Sequence, residues 1–244
     1  MVIRKMETRS SPLTLGAAAL VLGCALAAVS GFSRGADPAD EGGRARETRC
    51  GGGGVVVHAA DHADARLACD GAADAIGFLA AQGLDVSGEV AIDVVQRLPA
   101  AAGASAAGCY LDPERRVLVL SFAEFRKFKT WLNLPIDARI YRSLVSHEVA
   151  HAVAACNFRI ARPSIQAKEY IAYVTMFATM APGQRELVLA QFPGPGFEGD
   201  WQMGTTVYML DPLRFGAQAY RHFLNPGNGR DYLHAILAGK VLIE

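Results

Sequence analysis

The chain has 244 residues, 51% of them hydrophobic, which is enough to bury one sizeable core and too much for a disordered chain. Its 24 basic residues are matched by 24 acidic ones, so there is no basic excess to neutralise phosphates, and charge argues against nucleic acid as a partner. No fixed repeat period runs through the sequence, which argues against a solenoid.

Arg4, Lys5 and Arg9 precede an apolar run from Leu13 to about Val29, and Ala28-Val29-Ser30 supplies small residues after it. A basic start, an apolar centre and a small-residue exit predict a secretory signal over residues 1–30, cleaved before Gly31. Ala25-Leu26-Ala27 offers a second cleavage point. The run is also long enough to be kept as a membrane anchor over residues 13–32. Val21-Leu22-Gly23-Cys24 has a loose lipobox form, which would lipidate the chain at Cys24. All three readings export the rest of the chain to the periplasm or beyond, and confine membrane contact to this segment.

Export changes the meaning of the cysteines. Cys50, Cys69, Cys109 and Cys156 form an even set in an oxidising compartment, which predicts two disulfides with three connectivities open. Cys50–Cys69 with Cys109–Cys156 is the preferred set. No CxxC pair is present, so neither a thioredoxin-like site nor a Cys-rich zinc site has support.

Residues 31–54 are rich in Gly, Arg, Asp and Glu and read as a flexible linker, with a single domain over 55–244. Val55-Val56-Val57 is short and β-branched, hence a strand. Residues 62–83 carry Leu67, Ala68, Ala72, Ala75, Ile76 and Leu79 at helical spacing, with Gly83 where a helix stops. Glu89 to Leu98 alternates and predicts a half-buried strand; 99–108 reads as a loop, and Val117–Leu120 as a buried strand. Ser121-Phe122-Ala123-Glu124 has the capping-box form, so a helix is expected from there to just before Pro135. Further helices are expected over 136–156, from Pro163 to about Met180, from Asp211 to about Leu224, and from the Asn225–Gly229 turn to about Gly239. Residues 193–204 form a long Gly/Pro loop whose Phe197, Glu198 and Trp201 suit either a lid or an ordinary loop around one buried Trp. Strands come early and helices late, so the class is α+β, a small N-terminal sheet followed by a mainly helical half.

The chemistry is concentrated at His147-Glu148-Val149-Ala150-His151. Histidines four apart on a helix share a face, and both can then reach one ion at about 2.0–2.1 Å. Glu148 lies about 100° round the helix, where it can approach a water on that ion without being a ligand. From Leu144 onward the helix is apolar almost all round, so it is expected to be buried. Two imidazoles and a carboxylate buried in such a helix need compensation. A metal supplies it most simply; a hydrogen-bonded core His pair with a partnered Glu is the competing reading. A third ligand is required. The metzincin continuation fails, because Ala154 and Asn157 stand where Gly and His are needed. Glu169 sits in a mostly apolar helix with Ile165, Ala172 and Met176 on its face, and is the better candidate. An ion pair with Arg142 or Arg162 is the competing reading of Glu169, and His222, His234 and Asp211 are the other possible ligands.

His147-Glu148-x-x-His151 followed by Glu169 resembles the gluzincin branch of zinc metallopeptidases, specifically over residues 144–173 and only architecturally elsewhere. The resemblance implies Zn2+ held by His147, His151 and Glu169, with Glu148 as the general base. It also implies a zincin-like fold, in which a small sheet lies above the motif helix and its edge strand takes an extended peptide. Such enzymes use a Tyr or His to steady the oxyanion; Tyr220 and His222 are the candidates here, with Tyr208 and Tyr173 behind them. Two departures stand out: Lys168 precedes Glu169 where thermolysin-type helices carry an Asn-Glu pair, and no exopeptidase signature is present. The chain looks more like the small exported bacterial zincin-type proteins that lack an assigned function. Its expected partner is a peptide or protein substrate. The alternatives are an exported zinc-site binding or scaffold protein without turnover, and a metal-dependent amidase on cell-wall peptides.

Overall fold

The β-branched runs assemble side by side as the middle of a five-stranded sheet. A computed structural model describes residues 45–51, 54–112 and 114–243; the export segment, Cys24 and the linker up to residue 44 lie outside the described residues. In chain order the strands are Arg46–Arg49 (β1), Val55–Ala59 (β2), Val90–Val95 (β3), Gly108–Leu111 (β4) and Arg116–Leu120 (β5). Their order across the sheet is β1-β2-β3-β5-β4. β2, β3 and β5 run parallel, and the outer strands pair antiparallel to them. A short hairpin, Thr130–Trp131 (β6) and Leu134–Pro135 (β7), stands apart from the sheet.

Alternation along each strand sends one set of side chains to each face. Register places Val57 beside Ile92 and Ile92 beside Val117, and these three join one core with the helices. The helices are His62–Ala81 (α1), Phe122–Phe125 (α2), Ala138–Asn157 (α3), Ile165–Thr179 (α4), Pro182–Leu189 (α5), Thr205–Leu210 (α6), Pro212–Leu224 (α7) and Gly229–Leu237 (α8). α1 follows the apolar spacing of its sequence, starts at the Asp61 side chain, which accepts from Ala63 N, and ends before Gly83, whose φ is +81°. α1 and α3 cross closely: a methyl on Gly71 would fall 2.7 Å from the Arg142 carbonyl. The class is therefore α+β, with a mixed sheet first and a mainly helical half after it. No helix among the described residues is long and apolar enough to cross a membrane.

Several expectations need correction. Residues 46–50 are not tether: β1 pairs with β2 from Arg46 opposite Ala59 to Arg49 opposite Val56. The stretch read as a loop ends in β4, which has no alternating pattern to announce it. The helix expected from Ser121 to Pro135 lasts one turn. Ser121 does cap it, accepting from Glu124 N at 3.3 Å. But Lys129, Leu132 and Asn133 have φ of 65°, 54° and 59°, and the chain reverses into the β6–β7 hairpin instead. α5 and α6 are additional helices that the sequence reading did not place.

Of the two expected disulfides, Cys50–Cys69 is present and ties the end of β1 to α1 across a sequence separation of 19. Cys109–Cys156 is not formed. The reason is the pleat. On β4 the Gly108 position faces Glu148 of α3, so Cys109 points to the opposite face, where it packs with Ala102, Ala106 and Leu118. Cys156 is on α3, where its thiol accepts from Arg115 Nη2 at 2.9 Å. Cys69→Ala is expected to cost about 3 kcal/mol through loss of loop closure. Denaturant titration should show the same fall in midpoint when reductant is added to the unaltered protein; a variant with an unshifted midpoint would show that the bond adds nothing to stability.

Candidate metal centre

α3 begins where the Asp137 carboxylate accepts from Ile140 N at 2.8 Å, and every residue from Ser143 to Ala154 is buried. Five of those residues are polar: Ser143, Ser146, His147, Glu148 and His151. The two serines are accounted for. Ser143 donates to the Arg139 carbonyl at 3.1 Å, and Ser146 shares a hydrogen bond with Thr179 of α4 at 2.9 Å. What remains is the motif triplet.

α4 starts at Ser164, whose hydroxyl accepts from Ala167 N at 3.2 Å. Ser146 lies against Thr179 while His151 lies against Glu169, so α3 and α4 run antiparallel. That geometry delivers Glu169 between the two imidazoles. The Nε2 atoms of His147 and His151 are 3.3 Å apart. The Glu169 carboxylate straddles them, one oxygen 3.6 Å from His147 Nε2 and the other 3.6 Å from His151 Nε2. Donors about 2.0–2.1 Å from a tetrahedral ion sit roughly 3.4 Å from one another. The three observed separations match that edge length, and His147, His151 and Glu169 form a group that could hold a metal ion.

The electrostatics suit a cation. None of His147, Glu148, His151 and Glu169 is more than 8% exposed. Burial, helped by the neighbouring His151, holds His147 well below the usual imidazole range. Burial, with the Lys168 charge adding to it, pushes His151 down to about 3. Both rings are therefore neutral at pH 7, with lone pairs available to a metal.

Glu148 lies next to this group and beneath the edge strand. A methyl on Gly108 of β4 would fall 2.7 Å from Glu148 Cγ and 2.9 Å from Oε1. The glycine gives the carboxylate its room. Tyr141 helps fix the distance, since its hydroxyl donates to the Leu120 carbonyl at the end of β5 at 2.8 Å.

The remaining sequence candidates have other partners. Tyr220 packs on Phe177 and lies under the Arg185 guanidinium. His222 Nδ1 is 2.7 Å from the Tyr170 hydroxyl, and its ring contacts Tyr232. His234 Nε2 is 2.9 Å from the Gln82 carbonyl, and Asp211 caps α7 by accepting from Arg214 N at 3.0 Å. Arg142, the proposed alternative partner of Glu169, pairs with Asp74 at 2.6 Å instead. The loop after Phe192 does not wrap a buried Trp: Trp201 is 78% exposed. Tyr173 comes closer to the centre than any of these tyrosines. Its ring lies edge-on to that of His147, centroids 4.8 Å apart. Its place four residues after Glu169 was the available signal, because that spacing puts both on one helix face.

Fold and site together define an α+β protein with a buried His-His-Glu group able to hold a metal ion. Residues 55–244 match the family of unknown function DUF6639, and the chain belongs to that family. No curated protein and no solved structure matches it.

Proposed function

We propose that the protein is an exported zinc-dependent peptidase. The observation that carries the reading is the set of separations between His147, His151 and Glu169, which fits three corners of a tetrahedral zinc site and leaves the fourth for water or substrate. Zinc in that place supplies a Lewis acid that brings the pKa of water toward about 7 and polarises a scissile carbonyl. Glu148 is not among the three donors and serves as general base, taking the proton from the attacking water at its carboxylate and passing it to the leaving amine.

The surroundings agree with this reading. β4 is the last strand of the sheet and lies over Glu148, so an extended peptide added to its outer edge would run past the base. A sheet edge above the motif helix is also what a zincin-like fold requires. The Cys50–Cys69 disulfide fits an oxidising compartment outside the cytoplasm, in keeping with the N-terminal export signal.

A second reading has one observation in its favour. All four polar groups of the centre are buried, as in a metal site kept for structure, so a scaffold role without turnover remains the rival. A metal-dependent amidase would use the same residues on cell-wall peptides.

The first test is metal content by mass spectrometry, on protein made in an oxidising compartment, beside His151→Ala. About one zinc per chain is expected, and little or none in the variant. A folded, metal-free protein that takes up no added zinc would sink the proposal.

A further inference from the structure

Two buried polar atoms beside the metal-binding group make no hydrogen bond with any described residue: His147 Nδ1 and Tyr173 Oη. An unmade hydrogen bond at a fully buried position is costly, so each such atom asks for an explanation. The two belong to neighbouring rings, inclined at 73° with centroids 4.8 Å apart. A histidine that binds an ion through Nε2 must carry its proton on Nδ1, and that N–H needs an acceptor. A phenol oxygen is one.

We propose that in the metal-loaded protein Tyr173 Oη accepts the hydrogen bond from His147 Nδ1–H, which makes Tyr173 the positioning residue of the first histidine ligand. The proposal rests on reading the His-His-Glu group as a metal site. It accounts for both orphaned atoms at once. It also fixes the tautomer of His147, directing the Nε2 lone pair at the position that Glu169 and His151 share.

Tyr173 is built to stay in place. It lies one turn beyond Glu169 on the same helix, so the ligand and the acceptor move as one body. On its other side the ring rests on Gly216 of α7, where a methyl would fall 2.2 Å from Cδ1. Any larger residue at 216 would drive the ring out of its seat. Burial raises the Tyr173 pKa well above its usual value, so the group remains a neutral phenol at working pH.

The test compares the unaltered full chain with Tyr173→Phe and Tyr173→Leu. Zinc affinity is measured by competition with a chromogenic chelator, and the ring nitrogens of His147 are followed by 15N NMR in the zinc-loaded protein. Tyr173→Phe keeps the ring and removes only the oxygen. It is expected to lower zinc affinity by about 10–100-fold and to shift the His147 Nδ1 resonance, with the His151 resonances left in place. A Tyr173→Phe protein with unchanged affinity and an unchanged His147 signal overturns the proposal. So does a loss seen in Tyr173→Leu alone, because it assigns the effect to ring packing. The failure of the underlying reading looks different: the unaltered protein itself would take up no zinc.

Discussion

Glu148→Gln is expected to retain zinc and the folded structure while lowering hydrolysis by about 10²–10⁴-fold, the usual worth of a general base. Glutamine has nearly the same shape, so it fits the space that Gly108 leaves over Cγ and Oε1. It has no basic oxygen to take a proton from water. The ligand atoms belong to His147, His151 and Glu169, so the ion has no reason to leave. The measurement is the rate on unfolded casein and on purified peptidoglycan, at zinc content matched by mass spectrometry. Casein cleavage that collapses in the variant supports a peptidase, and peptidoglycan cleavage that collapses supports an amidase. A variant that keeps all biological activity removes Glu148 from the chemistry and favours the scaffold role.

The parts of this molecule that could be read from sequence are those where a local pattern and the tertiary environment agree. α3 is apolar on all sides, and it is buried on all sides. Glu169 stood out because a carboxylate on an apolar helix face lacks an ordinary partner, and it turns inward to the two histidines. The elements that were missed lack local signals. β4 reads Gly-Cys-Tyr-Leu after an Ala/Gly-rich stretch, and only its pairing with β5 makes it a strand. The β6–β7 turn places Leu132 and Asn133 in the left-handed region, without the Asn-Gly pair that usually marks such hairpins. The Cys109–Cys156 pairing failed on facing, because a strand shows one residue to a helix and hides the next. Pairings at longer range, such as Tyr220 with Phe177 and His222 with Tyr170, depend on how α7 docks against α4, and no spacing within α7 encodes that.

Gly108→Ala is expected to cut turnover about as deeply as a change in the chemical groups themselves, without touching any of them. The added methyl would meet Glu148 Cγ at 2.7 Å, Oε1 at 2.9 Å and Cδ at 3.0 Å. Atoms that close must move, and α3 has little freedom to withdraw. It is pinned to β5 through Tyr141 and packed against α1 at Gly71, whose position is already within 2.8 Å of Val145 Cβ. Either the carboxylate swings aside or the edge strand lifts, and in both cases the base loses its register with a peptide on β4. A displacement of about 1 Å is worth on the order of 10² in rate. Overpacking of this kind also costs roughly 1–3 kcal/mol of stability. Gly183→Ala on α5 is the control, since nothing lies within 4 Å of the added methyl there. Zinc content should stay at the unaltered level in both variants. The decisive comparison is with Glu148→Gln as the background. If Gly108 acts through Glu148, the two substitutions will not add, and Gly108→Ala will take little further activity from a protein that has already lost its base. Full additivity would instead place the effect of the strand on substrate binding, independent of Glu148.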